Sequence, residues 1–94
     1  MTAAELSQAA IDVFAERQRQ KAVEGWAEHH DDNHDCDELA KAAACYATAY
    51  PGDVLPKYWP WDADWWKPKD RRRNLVRAAA LLLAQIERDD RGEG

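Results

Sequence analysis

The 94-residue sequence is short of several things at once: it has no long apolar run, two cysteines, one phenylalanine and one methionine. No stretch approaches the roughly 20 apolar residues a bilayer span needs, and Met1 to Ala10 lacks a basic start followed by an apolar run. A soluble, cytoplasmic, unsecreted protein is therefore expected. Cys36 and Cys45 lie nine apart with no Cys-x-x-Cys pair, which gives neither a disulfide framework nor a Cys-rich zinc site. There is no phosphate-cradling Gly-rich loop and no nucleophilic serine elbow. No segment alternates as a strand and no repeat is present. A chain this short buries only about 60 to 65% of its unfolded surface, so it holds one small core. One domain over residues 1–94 is expected, with frayed ends at 1–2 and 88–94. With one Phe and one Met, tryptophan must help to fill that core.

What is present is unevenly distributed. Residues 1–50 carry ten Asp/Glu against four Lys/Arg, whereas residues 51–94 carry eight against nine, together giving the net charge of −5. Glu24 to Glu38 holds seven carboxylates and three histidines without a Lys or Arg, while Lys67 to Arg77 holds six cations against Asp70 alone. The chain thus has an acidic loop and a basic stripe. The two either pair or are solvated, or the cations hold an anionic ligand.

Helical periodicity predicts an all-α, compact single domain of three principal helices with a long Trp/Pro-rich loop between helices 2 and 3. Thr2 with Glu5 matches a capping box, and Leu6, Ala10, Val13, Phe14 and Arg17 recur at helical spacing, so a first helix is expected from about Ala3 to Val23, ended by Gly25. Asp35 with Glu38 repeats the cap pattern before an Ala-rich second helix, Leu39 to about Ala49. Tyr50-Pro51-Gly52 stops it, and Pro51, Pro56, Pro60 and Pro68 punctuate the connection. Pro68 is expected in the first turn of a third helix, where Leu75, Val76, Ala79, Leu82, Leu83 and Ile86 form a broad apolar stripe. From Glu87 onward the charged tail is expected to fray.

The acidic loop invites a metal reading, since His29, His30, Asp31, Asp32, His34, Asp35 and Cys36 are all ligand types for zinc or manganese. The spacing argues against it. Asp31-x-Asn33-x-Asp35 imitates the start of a calcium loop, but Cys36 stands where Gly is required and Ala42 where the bidentate Glu belongs. His30 and His34 share a face only in a helix, which Asp31-Asp32-Asn33 disfavours. The expectation is no metal and no cofactor. Glu24 and Glu28 supply carboxylates for a metal-dependent nucleotide pyrophosphohydrolase, yet they straddle Gly25 and no second helical pair follows. Cys36 or Cys45 beside a histidine could act as a nucleophile, although Cys45 on an Ala-rich helix reads as packing.

The most distinctive block runs from Trp59 to Arg73. It joins Trp59, Trp61, Trp65 and Trp66 to Lys67, Lys69, Arg71, Arg72 and Arg73 within fifteen residues. Indole faces stack bases and guanidinium groups hold phosphates, and a helix start near Pro68 would add free N–H groups. At least two of the four indoles are expected to serve the core. A sequence pI near 5.1 argues against general DNA binding.

Ala10-Ile11 through Glu16-Arg17, Glu24-Gly25-Trp26, Asp31-Asp32 with His34, and Lys69-Asp70-Arg71 entering Leu75-Val76-Arg77-Ala78 resemble the RyR domain, the small helical module repeated in ryanodine receptors and also found alone in bacteria and phages. That family usually follows Gly-Trp with Tyr-Gly, where this chain has Ala27-Glu28, and Leu39 to Ala49 would be an insertion. Glu24-Gly25-Trp26 through His30-Asp31-Asp32, with Trp59-Pro60-Trp61 and Trp65 to Arg73, more closely resembles small proteins encoded by phages and prophages. The resemblance implies a non-enzymatic, nucleotide-binding, counter-defence protein in the cytoplasm of an infected or lysogenic host. Trp26 and one or more of Trp59, Trp61, Trp65 and Trp66 would stack the base, Lys67, Lys69, Arg71, Arg72 and Arg73 would hold phosphate, and Asp31 or Asp32 would accept from ribose or base N–H groups. A competing reading makes the exposed indoles and arginines a grip for a protein partner such as a host defence protein. The small core also favours a homo-oligomer.

Overall fold

The computed structural model describes residues 5–24 and 37–92, which form three α-helices and no strand. Helix α1 (Gln8–Arg19) begins later than the spacing predicted, because Ser7 is the cap: its Oγ accepts the Ala10 N–H at 3.1 Å, satisfying one of the four donors a helix start leaves open. Thr2 of the expected capping box lies outside the described residues. The helix runs into a π-helical turn, Gln20–Glu24.

Helix α2 (Glu38–Ala47) follows Asp37, whose side chain makes no cap hydrogen bond; Asp35, the expected cap, is not among the described residues. Its alanines decide how it packs. Ala42 and Ala43 share one buried cluster with Ala78, Leu81 and Ala84 of α3 (Arg71–Asp90), and facing alanines let two helix backbones approach closely. Leu39, Cys45, Tyr46 and Trp59 complete that core, with Trp61 and Trp66 packed on its edge. The packing reading of Cys45 holds, and burial pushes its thiol pKa up.

The second helix ends at Ala47, two residues before the expected Ala49, where the Thr48 hydroxyl donates to the Ala44 carbonyl at 3.0 Å. Tyr50 to Asp53 then reverse the chain. Asp53 N–H donates to Tyr50 O at 3.0 Å, and Pro51 and Gly52 occupy the two central positions. Gly52 has φ +85°, the left-handed value that the third position of a type II turn requires and that an L side chain resists. A short 3₁₀ turn, Ala63–Trp65, is the only helical structure described in the rest of the connection.

Three expectations for α3 need correction. Pro68 precedes the helix instead of opening it, because Asp70 is the cap and accepts the Arg73 N–H at 2.9 Å. The helix also continues through Asp90 where a frayed tail was expected: Arg88 is buried, and Glu87 accepts two hydrogen bonds from Arg17 of α1. Finally, the large apolar residues are not the core face. Leu75, Leu82 and Ile86 are exposed, while the smaller Ala78, Ala80 and Ala84 go inward with Leu81, Asn74 and Gln85. Close contact with an Ala-rich partner selects small residues at the interface, so side-chain size misidentifies the buried face.

Candidate anion-binding cleft

The start of α3 lies beside the middle of α1, and between them is a cleft of about 450 Å³. Lys69 comes from the segment before α3. Arg72, Arg73 and Arg77 project from its first two turns, and Arg19, Asp12 and Glu16 from α1. Five cations therefore face two carboxylates.

The carboxylates are already engaged. Glu16 accepts both ends of the Arg19 guanidinium, at 2.8 and 2.6 Å, and the Gln20 amide at 3.1 Å; Arg77 Nε stands 3.5 Å away. Burial pushes the Glu16 pKa up, but the hydrogen bond and charge of Arg19, with the charge of Arg77 and the Gln20 amide, outweigh it and hold the carboxyl below its ordinary value. Asp12 is lowered too, by the Gln8 amide first and by Arg72 second. Arg77 is fixed further by donating to the Tyr46 hydroxyl at 3.1 Å.

Arg72 and Arg73 are held loosely by comparison. Arg72 reaches Asp12 at 2.9 Å and Arg73 reaches Asp70 at 3.5 Å, both on side chains more than half exposed. Such pairs contribute only about 0 to 1 kcal/mol, so a multiply charged ligand can displace them.

A depressed carboxylate stabilises the fold fully above its unfolded pKa, and that contribution is lost as pH falls through the folded value. We expect urea stability to decline as pH drops below about 4.5, the ordinary value for glutamate, and Glu16→Gln to flatten that decline. An unchanged pH profile in the variant would show that the Arg19–Glu16–Arg77 cluster contributes nothing net.

The structure divides the block that the sequence joined. Trp59 is buried in the core, where its indole N–H donates to Asp62 O at 3.0 Å; Trp61 and Trp66 pack behind it, edge-on to its ring. These three indoles are core elements, as expected for at least two of the four, and none lines the cleft. Trp65 is partly exposed, with Lys67 Nζ 5.7 Å from its ring centre, and also lies off the cleft.

Arg71, expected to hold phosphate, does not line the cleft and fastens the fold. Its Nη1 donates to Ala47 O at 2.5 Å and Ala49 O at 3.2 Å, and its guanidinium lies over the Tyr50 ring. The open N–H groups expected near Pro68 are also partly taken, by the Asp70 cap and by Asn74 Oδ1, which accepts the Lys69 N–H at 2.6 Å. Of the expected phosphate ligands, Lys69, Arg72 and Arg73 do line the cleft. Arg19 and Arg77 were missed. Arg73 and Arg77 are four apart on a helix, a spacing that signals a shared face, whereas nothing in the sequence brings Arg19 to them.

Trp26, Glu28, His29, His30, Asp31, Asp32, His34, Asp35 and Cys36 lie outside the described residues. Among the described residues no group of three or more His, Cys, Asp or Glu could hold a metal ion, and no helix is long and apolar enough to cross a membrane. Comparison with protein-family models, curated proteins and solved structures finds no match.

Proposed function

We propose that the chain is a binding protein for a small, multiply phosphorylated anion of nucleotide type, taken up in the cleft between α1 and α3. The observation that carries this is the convergence of Arg19, Lys69, Arg72, Arg73 and Arg77 on a 450 Å³ space whose two carboxylates are already paired. That volume lies in the range of about 300 to 1,000 Å³ common to small-molecule sites. Arg19 and Arg77 are held in place before any ligand arrives, which reduces the ordering cost of binding. Arg72, Arg73 and Lys69 complete a rim that can close on phosphate oxygens.

The nucleoside half of the proposal rests on the indole-rich sequence and on its resemblance to phage-type proteins and RyR modules. In such a setting the protein acts by stoichiometric capture, withholding a host signalling nucleotide. Trp65 is the accessible member of the described indole block, and Trp26, Asp31 and Asp32 remain the proposed contacts from the acidic loop.

Calorimetric titration tests both halves. ADP, ATP, cyclic oligonucleotides and ADP-ribose are compared with pyrophosphate, in the wild type and in Arg73→Ala and Lys69→Ala. A charge-assisted hydrogen bond contributes about 1.5 to 3 kcal/mol, so each variant should bind roughly 10- to 100-fold more weakly, and added salt should weaken the wild type. Absence of binding across the panel, or binding indifferent to both substitutions, overturns the cleft. Pyrophosphate binding as tightly as ADP overturns the nucleoside half alone.

A further inference from the structure

Helix α3 carries an apolar stripe that neither the core nor the cleft uses. Leu75, Leu82 and Ile86 are exposed and Ala79 is half-buried between them. The stripe continues into a shallow apolar groove of about 280 Å³, where Leu75 and Ala79 meet Ala9 and Val13 of α1. Its spacing is four, three, four, the repeat of a helix-pairing seam. One step of three before it stands Arg72; one step of three after it stands Asp89.

That order is self-complementary when reversed. If a second α3 is laid antiparallel, with a two-fold axis between Ala80 and Leu81, Leu75 faces Ile86 of the second copy and Ala79 faces Leu82. Arg72, which pairs with Asp12 of its own chain, faces Asp89, which accepts from the Gln85 amide of its own chain, at each end. A two-fold interface needs this property, because each residue must suit the residue it meets on an identical surface.

Charge along the helix favours the same partner. The first turn of α3 carries Arg71, Arg72 and Arg73 against the single anionic cap Asp70, and its last turn carries Glu87, Asp89 and Asp90 against one cation, the buried Arg88, so net charge is positive at the start and negative at the end. This is the reverse of what the helix dipole favours, which is anions at the N-terminus and cations at the C-terminus. An antiparallel neighbour brings acidic groups to the basic end and basic groups to the acidic end, which offsets the mismatch at both.

From the stripe, its reversed order and this polarity we infer that α3 pairs antiparallel with α3 of a second copy of the chain. Arg72 belongs both to this seam and to the proposed cleft, and the two are separated by reading mass here and ligand titration there.

Sedimentation equilibrium of the full chain, up to about 100 μM, where a dimer of micromolar Kd is largely formed, reads the result. The mass expected is twice the 10.7 kDa of one chain. Leu82→Glu, with folding checked by circular dichroism, should return the chain to monomer. Asp89→Arg alone sets arginine against Arg72, and Arg72→Asp alone sets aspartate against Asp89, so each should weaken association at least 10-fold. Mixed together they should pair, because each then meets its opposite charge. A chain that stays monomeric overturns the inference and leaves the stripe to a helix of another protein. A dimer that Leu82→Glu does not dissolve overturns the face, and failure of the mixed pair to associate overturns the antiparallel register.

Discussion

Tyr46→Ala should lose most of its folding stability, giving a broad transition in place of a cooperative one in urea denaturation followed by tryptophan fluorescence. Tyr46 is among the largest fully buried side chains, with its ring centre 5.6 Å from that of Trp59 and 4.9 Å from that of Trp66. Removing a buried aromatic ring costs about 3 to 5 kcal/mol, against a total of about 5 to 15 kcal/mol for a small domain. The hydroxyl adds to that loss. It donates to Trp65 O at 3.2 Å and accepts from the Lys67 N–H at 3.0 Å and Arg77 Nη1 at 3.1 Å, using all the hydrogen-bonding capacity a phenol has. Tyr46→Phe isolates this part. It should cost about 1 to 3 kcal/mol, a fall in Tm of roughly 10 °C for a domain of this size. A Phe variant as stable as the wild type would show that the hydroxyl does not organise the turn before α3.

Asn74→Ala should be the most damaging change to any polar residue of α3. Asn74 is buried at the point where the end of α2, the Trp-rich connection and the start of α3 meet. Its Nδ2 donates to Ala49 O at 3.3 Å and Lys69 O at 2.9 Å, and its Oδ1 accepts the Lys69 N–H at 2.6 Å. Truncation leaves the Lys69 N–H and C=O without that partner, while Ala49 O keeps Arg71 Nη1, at about 1 to 3 kcal/mol for each group left unsatisfied. We expect a total near 3 kcal/mol, allowing for local relaxation. Asp70→Ala provides the scale, since loss of an exposed helix cap costs about 1 kcal/mol. Equal destabilisation of the two variants in parallel urea titrations would contradict the central role of Asn74.

The three helices were legible because their periodicity, stops and cap residues are local signals. Proline spacing separated α2 from α3, and the Ala-rich character of α2 announced close packing. What could not be read was which face of α3 meets that helix. Leu75, Leu82 and Ile86 are more hydrophobic than Ala78, Ala80 and Ala84, yet the latter are buried, because the choice depends on the width of the gap between two backbones. The same limit applies to charge. Arg71, Arg72 and Arg73 are identical letters in sequence, and only the end of α2 distinguishes Arg71, whose guanidinium finds two carbonyls there. Arg17 shares the helical repeat read for α1, but its burial follows from its partner Glu87, seventy positions away, beyond any local pattern. The candidate site was half visible: Lys69, Arg72 and Arg73 were, Arg77 and the α1 wall were not.

The division of labour within the arginine run bears on how such a protein changes over time. Arg71 and Asn74 fasten the frame, while Arg72 and Arg73 are exposed and weakly paired. If the cleft holds an anion as proposed, a lineage can exchange the two outer arginines, altering which anion is held, while the scaffold that presents them stays intact. Adaptation to a new ligand and maintenance of the fold fall on different letters of one short word, so selection can act on the first without eroding the second.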